Sequence, residues 1–184
     1  GYNVEFAGHR SYVQGDSIRD IDWKAYSRTD KFFIKQYEEE TNLKSYILLD
    51  SSKSMGYKSE KSELSKHEYS SYIAAILSYL MLKQNDYVGL VTFDDKIREY
   101  LAPGGSISHI RNLLSTVEKC VAGGKTDVGK IFHTLAEKIS RRGLIIIISD
   151  LWDEPEKIIS GIKHLMHKKH EVLVFHILDD YEYN

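Results

Sequence analysis

The sequence predicts an α/β domain built on a doubly wound, mostly parallel sheet, with helices on both faces and one antiparallel edge strand. Three observations predict it. First, the runs Tyr46-Ile47-Leu48-Leu49 and Ile145-Ile146-Ile147-Ile148 are apolar throughout rather than alternating, as strands buried on both faces are. Second, strand patterns alternate with stretches of helical periodicity, which implies right-handed crossovers and a parallel sheet. Third, two extended runs are joined by Asp94-Asp95 alone. That is hairpin spacing, so one edge strand runs antiparallel.

The elements follow in order. Residues 1–44 read as a polar, irregular arm, extended only around Lys31 to Tyr37. Phe6, Tyr12, Ile21, Trp23, Phe32 and Phe33 give this arm apolar surface that disordered segments lack. It is expected to pack on the domain formed by residues 45–184. There, strands are predicted at 45–49, 86–93, 96–101, 144–149 and 171–178, and helices at 65–83, 107–119, 128–141 and 154–168. Ile73, Ala74, Ile76, Leu77, Leu80 and Met81 give the first helix a broad face that should be buried.

Composition bounds the function. A chain of 184 residues supports one domain with a sizeable core. Its 25 basic and 27 acidic residues give a net charge of −2, so no global basic field argues for nucleic acid. Cys120 is the only cysteine, which rules out an intrachain disulfide and fits a reducing, cytoplasmic compartment. No run of about twenty apolar residues is present to insert into a membrane, and no signal peptide is evident. The start at Gly1 and the end at Asn184, just past a strand pattern, read as cuts from a longer protein.

Chemistry concentrates where the predicted strands end. Asp50-Ser51-Ser52-Lys53-Ser54 follows the first strand directly, at spacing D-x-S-x-S. Open α/β sheets bind ligands at the carboxyl ends of their strands. A carboxylate with hydroxyls is an oxygen-only set that suits magnesium or manganese. Asp and Ser also favour turns and helix caps, so the spacing is weak evidence alone. Gly123-Gly124-Lys125-Thr126-Asp127 resembles a phosphate loop, but the glycine required with four residues between it and Gly124 is Lys119. What remains is Thr126 on a Gly-rich loop, with Asp127 beside it as a competing ligand or helix cap. The isoleucine run ends at Ser149-Asp150, which brings a second carboxylate to the same sheet edge.

The three segments together resemble the von Willebrand factor A fold and its metal-ion-dependent adhesion site. Carried over by position, the implied metal ligands are Asp50, Ser52, Ser54, Thr126 and Asp150, the last directly or through water. Ahead of the first strand stand Phe6, Arg10, Tyr12, Gly15-Asp16, Arg19, Ile21-Asp22-Trp23, Ala25, Arg28, Lys35 and Glu40. These are similar to the signature of the bacterial family catalogued as domain of unknown function fifty-eight, whose members are von Willebrand A-like and associated with MoxR-type AAA+ ATPases. Tyr26-Ser27-Arg28 departs from that pattern, where Ala-Arg-type residues are expected. Relatives in this family often carry membrane segments upstream, so the resemblance is compatible with a membrane-anchored parent.

The resemblance implies a metal-dependent docking module that grips an acidic side chain of a partner, with a MoxR-type ATPase as leading candidate. Assembly, maturation or envelope stress would be the setting. The alternative is a magnesium-dependent phosphotransfer or hydrolase enzyme using Asp50. Such sites usually add a second acid beside the first and a lysine for the phosphoryl oxygens, whereas the neighbours of Asp50 are serines. Arg19, Asp22, Trp23 and Arg28 form a second candidate partner surface, since Trp and Arg are favoured interface anchors. The alternative for them is a salt-bridged arm. His164, His167 and His170 could bind a transition metal, but mixed with Lys168 and Lys169 they read first as a solvated helix end. Asp94 and Asp95 read as turn residues.

Overall fold

The computed structural model describes residues 3–40 and 44–183, which divide into two units, Gly1–Asn42 and Leu43–Asn184. The first unit is more regular than its composition suggested. Strand β1 (Asn3–Ser11) pairs antiparallel with β2 (Phe33–Glu40), from Asn3↔Glu40 to Ser11↔Phe33. Charged residues break any period-two pattern in β1, and the strand exists because a partner some thirty residues downstream supplies its hydrogen bonds. Between the strands lie a 3-10 turn, Ile18–Asp20, and a short helix, α1 (Trp23–Thr29). Asp22 caps α1 by accepting from the backbone N–H groups of Lys24 and Ala25 at 2.9 and 3.0 Å. Ile21 bridges to Ile34, and both are buried. Arg10 grips the Asp16 carboxylate with two nitrogens at 2.6 and 2.7 Å. The side chains of Phe6, Lys35 and Glu40 lie outside the described residues.

The second unit carries a five-stranded sheet in the order β5-β4-β3-β6-β7. Its strands are β3 (Lys44–Asp50), β4 (Tyr87–Phe93), β5 (Ile97–Gly104), β6 (Leu144–Ser149) and β7 (Glu171–His176). All neighbours are parallel except β4 and β5, which form the antiparallel edge. This is the von Willebrand A-like architecture that the resemblance implied. The β4–β5 connection holds three residues rather than two, because Lys96 stays in the turn and its N–H bonds the Asp94 carboxylate at 3.1 Å.

Alternate residues of β3 and β6 face opposite layers. Tyr46, Leu48, Ile145 and Ile147 pack with α4 (Val128–Lys138) and α5 (Pro155–His167). Ile47, Leu49, Ile146 and Ile148 pack with α2 (Lys66–Lys83) and α3 (Ile107–Lys119). Each such side chain contributes roughly 1.5–3 kcal/mol when fully buried. Local signals set the helix starts. Ser65 and Glu68 form a reciprocal capping box on α2, Ser106 caps α3, Asp127 caps α4, and Pro155 opens α5. A short helix, α6 (Asp180–Tyr183), ends the described chain.

One expectation for α2 is corrected. Ile73, Ala74, Leu77 and Met81 join the core, but Ile76 and Leu80 are 57% and 49% exposed. With Tyr69, Tyr72 and Tyr79 they form an apolar outer face. A helix that is apolar on both sides offers no periodicity to say which side is inner.

Candidate functional site

Strand β3 is central: the chain runs from it to β4 and β5 on one side of the sheet, then crosses back to β6 and β7 on the other. The carboxyl ends of β3 and β6 therefore flank the switch point at which open α/β sheets bind ligands. Asp50 ends β3 and Asp150 directly follows β6. Asp50 is fully buried. Its Oδ1 accepts the Ser52 N–H at 2.8 Å, and its Oδ2 accepts the Ser149 hydroxyl at 2.5 Å. Burial, with the nearby Asp150 charge, pushes the Asp50 carboxyl above its ordinary range despite these hydrogen bonds. Among the described residues no cationic side chain pairs with it.

The two serines continue from Asp50 toward solvent. Ser52 Oγ lies 3.1 Å from Ser54 Oγ, and Ser54 lines an open groove of about 650 Å³ together with Thr126. Two backbone hydrogen bonds clip the loops together, from Lys53 N to Gly124 O at 3.2 Å and from Gly123 N to Ser51 O at 2.8 Å. Gly124 has φ +78°, and a Cβ there would collide with the Asp94 carboxylate. Asp127 turns its carboxylate to the Lys130 N–H at 3.3 Å as the α4 cap, which leaves Thr126 as the hydroxyl facing the groove.

Asp150 has a different environment. Its Oδ2 accepts from Lys66 Nζ at 2.8 Å and its Oδ1 from the Trp152 N–H at 3.2 Å. Lys66 is itself buried and also reaches both Glu182 oxygens, at 2.7 and 2.9 Å. Burial alone would pull the Lys66 ammonium down, but its hydrogen bonds to Asp150 and Glu182 outweigh that and raise it. The donor set thus fits a hard divalent cation at Asp50, Ser52, Ser54 and Thr126. It is all oxygen, and its one carboxylate is buried without a counter-charge. Asp150 fits as a direct ligand less well, because the Lys66 ammonium already neutralises its charge.

Sequence reasoning missed Lys66. One signal was present, since a lysine at the first position of a helix opposes the macrodipole and needs a specific partner. Asp94 is more than a turn residue. It is buried and accepts from Arg98 Nε at 2.6 Å. Burial would push it up, but the Arg98 and Lys96 hydrogen bonds hold its pKa below the ordinary range. In the amino-terminal unit Trp23 is 55% exposed and stands edge-on to Tyr26. Arg19 and Arg28 are exposed, and Asp22 is occupied as a cap that also meets His9 Nε2 at 2.8 Å. His164 pairs with Glu137 at 2.9 Å and meets His133 at 2.9 Å, while His170 is buried against the Ile139 carbonyl. Among the described residues no three His, Cys, Asp or Glu side chains converge as metal ligands, so the histidines do not gather into a transition-metal site. No described helix is long and apolar enough to cross a membrane.

A family model described as "Protein of unknown function DUF58" matches residues 8–184. The uncharacterized protein Rv1480 of Mycobacterium tuberculosis is 24% identical over 178 residues, covering 92% of this chain. The chain spans 53% of the length of that relative. Among solved structures, an aerotolerance-related membrane protein from Bacteroides fragilis is similar with a TM-score of 0.59 and 18% identity, over 74% of this chain and 68% of the other. BatB from Bacteroides thetaiotaomicron is similar with a TM-score of 0.58 and 18% identity, over 72% and 65%. Manganese-loaded TRAP from Plasmodium vivax is similar with a TM-score of 0.50 and 18% identity, over 78% and 61%. At these identities the likeness is one of fold.

Proposed function

The chain belongs to the family described as protein of unknown function DUF58, and from that premise we propose that it is a protein-docking module whose strand-end site holds magnesium or manganese. The observation that carries this reading is Asp50, a fully buried carboxylate with no cationic partner among the described residues, beneath a groove lined by Ser54 and Thr126. Asp50, Ser52, Ser54 and Thr126 would hold the ion, with Asp150 acting through water. With one direct carboxylate and three hydroxyls, the bound ion would stay electrophilic and take a partner's carboxylate into its open position. A manganese-loaded protein of similar fold is consistent with this.

The alternative of a phosphotransfer enzyme gains a lysine, Lys66, that the sequence did not show near the strand ends. Lys66 nonetheless spends its donors on three carboxylate oxygens and keeps none for a phosphoryl group. Docking is therefore favoured over turnover. The leading partner is a MoxR-type AAA+ ATPase, on the strength of the family resemblance. The setting would be protein assembly, maturation or envelope stress, in the cytoplasm or at its membrane.

Titration calorimetry with magnesium and manganese, on wild type and Asp50→Ala, tests the site. An interferometry titration with the ATPase encoded nearest to this protein, in magnesium and in chelator, tests the partner. Weak metal binding lost in Asp50→Ala, and ATPase binding lost in chelator, are the expected results. Identical metal response in both proteins would remove the site.

A further inference from the structure

The groove over Ser54 and Thr126 has walls that the metal reading does not use. Lys53 and Lys125 line it, both exposed, and neither has a carboxylate within salt-bridge distance among the described residues. Tyr57 and Trp152 line it too, 44% and 66% exposed. No lining residue is acidic. The groove is wide and open rather than an enclosed cleft, a shape that suits a segment of a partner protein more than a buried small molecule.

The backbone that carries Trp152 is fixed in place, and the Tyr57 ring has a neighbour. Leu151 adopts a left-handed backbone, φ 52°, which a branched residue rarely does without reason. Its N–H bonds Ser149 Oγ at 2.9 Å, and the next N–H, of Trp152, bonds Asp150. The turn that displays Trp152 is thus anchored at both residues to the end of β6. Tyr57 lies with its ring 5.8 Å from Lys66 Nζ, the same buried ammonium that holds Asp150. A large aromatic displayed from an anchored backbone has only two side-chain torsions left to order on binding, which suits an interface anchor.

We propose that this groove is a specificity subsite for a partner segment in which an acidic side chain stands beside a large apolar one. The proposal rests on the docking reading. The acid would enter between Lys53 and Lys125 toward Ser54 and Thr126, and the apolar neighbour would cover Trp152 and Tyr57. Charge complementarity selects this occupant. Two uncompensated ammonium groups with no acid in the wall favour a carboxylate, and the wide aromatic surface favours a protein segment with an apolar side chain.

The test uses the full chain against libraries of blocked ten-residue peptides, with Asp or Glu fixed at the centre in one and Asn or Gln in the other. Acidic-centre peptides with Phe, Leu, Ile or Trp beside the acid should be enriched. The best of them, labelled with fluorescein, is then titrated by anisotropy. Trp152→Ala should weaken it at least tenfold. The double variant Lys53→Gln/Lys125→Gln should weaken it about tenfold and flatten its salt dependence. Both variants change exposed side chains, and unchanged thermal melts confirm their fold. No preference for the acidic centre, or equal affinity of both variants and wild type, overturns the proposal. Repeating the titration in chelator and with Asp50→Ala separates the two readings. Sensitivity to Trp152→Ala without sensitivity to chelator keeps the subsite and sinks the metal. Sensitivity to chelator without sensitivity to Trp152→Ala does the reverse.

Discussion

Replacing Lys66 with Met should be among the most damaging single changes in the second unit. The Lys66 side chain is 2% exposed and its three N–O contacts span 2.7–2.9 Å. Of its partners, Glu182 is 22% exposed and can turn to water. Asp150 is 0% exposed and cannot. Removing one member of a buried pair leaves an uncompensated charge and costs about 3–5 kcal/mol. At about 2–4 °C per kcal/mol for a domain of this size, the melting temperature should fall by about 6–20 °C. Thermal and urea unfolding of Lys66→Met measure this. The double variant Lys66→Met/Asp150→Asn removes the stranded charge and should recover more than half of the loss. Lys157→Met is the control. Its pair with Glu154 is 54% and 66% exposed on its two sides, so its loss should stay below about 1 kcal/mol. A loss for Lys66→Met as small as the control's, or no recovery in the double variant, would refute the idea that Lys66 neutralises a buried Asp150.

Three further outcomes are expected. Asp50→Asn keeps the Ser52 N–H bond on its remaining oxygen, lets its new amide nitrogen donate to Ser149 Oγ, and removes a buried charge, so in chelator it should melt above wild type. Magnesium should raise the wild-type melting temperature by mass action and leave the variant unmoved, and a parallel response of the two would contradict this. Asp16 has its pKa lowered to about 2, first by the Arg10 side-chain hydrogen bond and then by the Val13 N–H. Its contribution to the amino-terminal ribbon is therefore present above the ordinary aspartate range and lost as pH falls toward about 2. Carbon-detected NMR titration should find that pKa, and Arg10→Gln should raise it. Gly124→Ala must hold φ +78° and displace Asp94 from Arg98, so it should cost about 1–3 kcal/mol in urea unfolding, and a change below about 0.5 kcal/mol would show that the loop yields freely.

The central strands were legible because burial on both faces leaves no room for polar residues. Tyr46 to Leu49 and Ile145 to Ile148 announce themselves, and with them the sheet edge on which Asp50 and Asp150 stand. The hydroxyls of Ser52 and Ser54 follow from spacing, since they sit two and four residues past the strand end. What spacing cannot reveal is pairing across distance. Lys66 meets partners 84 and 116 residues away, and its place at the start of α2 hints that it needs a partner without saying which. The same limit hid β1, whose polar strand takes its order from β2. It also hid Trp152, an aromatic whose exposure depends on a left-handed turn. The outer face of α2 was misread for a different reason. Ile76 and Leu80 look like core residues, and only the packing of α2 on the sheet decides that they face outward.

The pairing of β3 with β6 has a consequence for the order of events in folding. Ser45 pairs with Leu144 and Leu49 with Ile148, so closing this contact joins segments about a hundred residues apart. By contrast, the β4–β5 hairpin forms from neighbours. Contacts of long sequence separation form slowly, and in synthesis at about 5–20 residues per second β3 emerges several seconds ahead of β6. Until β6 docks, Asp50 lacks the Ser149 hydroxyl and keeps its water. The energetic cost of burying that carboxylate falls on the step that completes the sheet, and the strand-end site comes into being only then. A partner that recognises this face recognises a finished domain, and a half-made chain offers it nothing to hold.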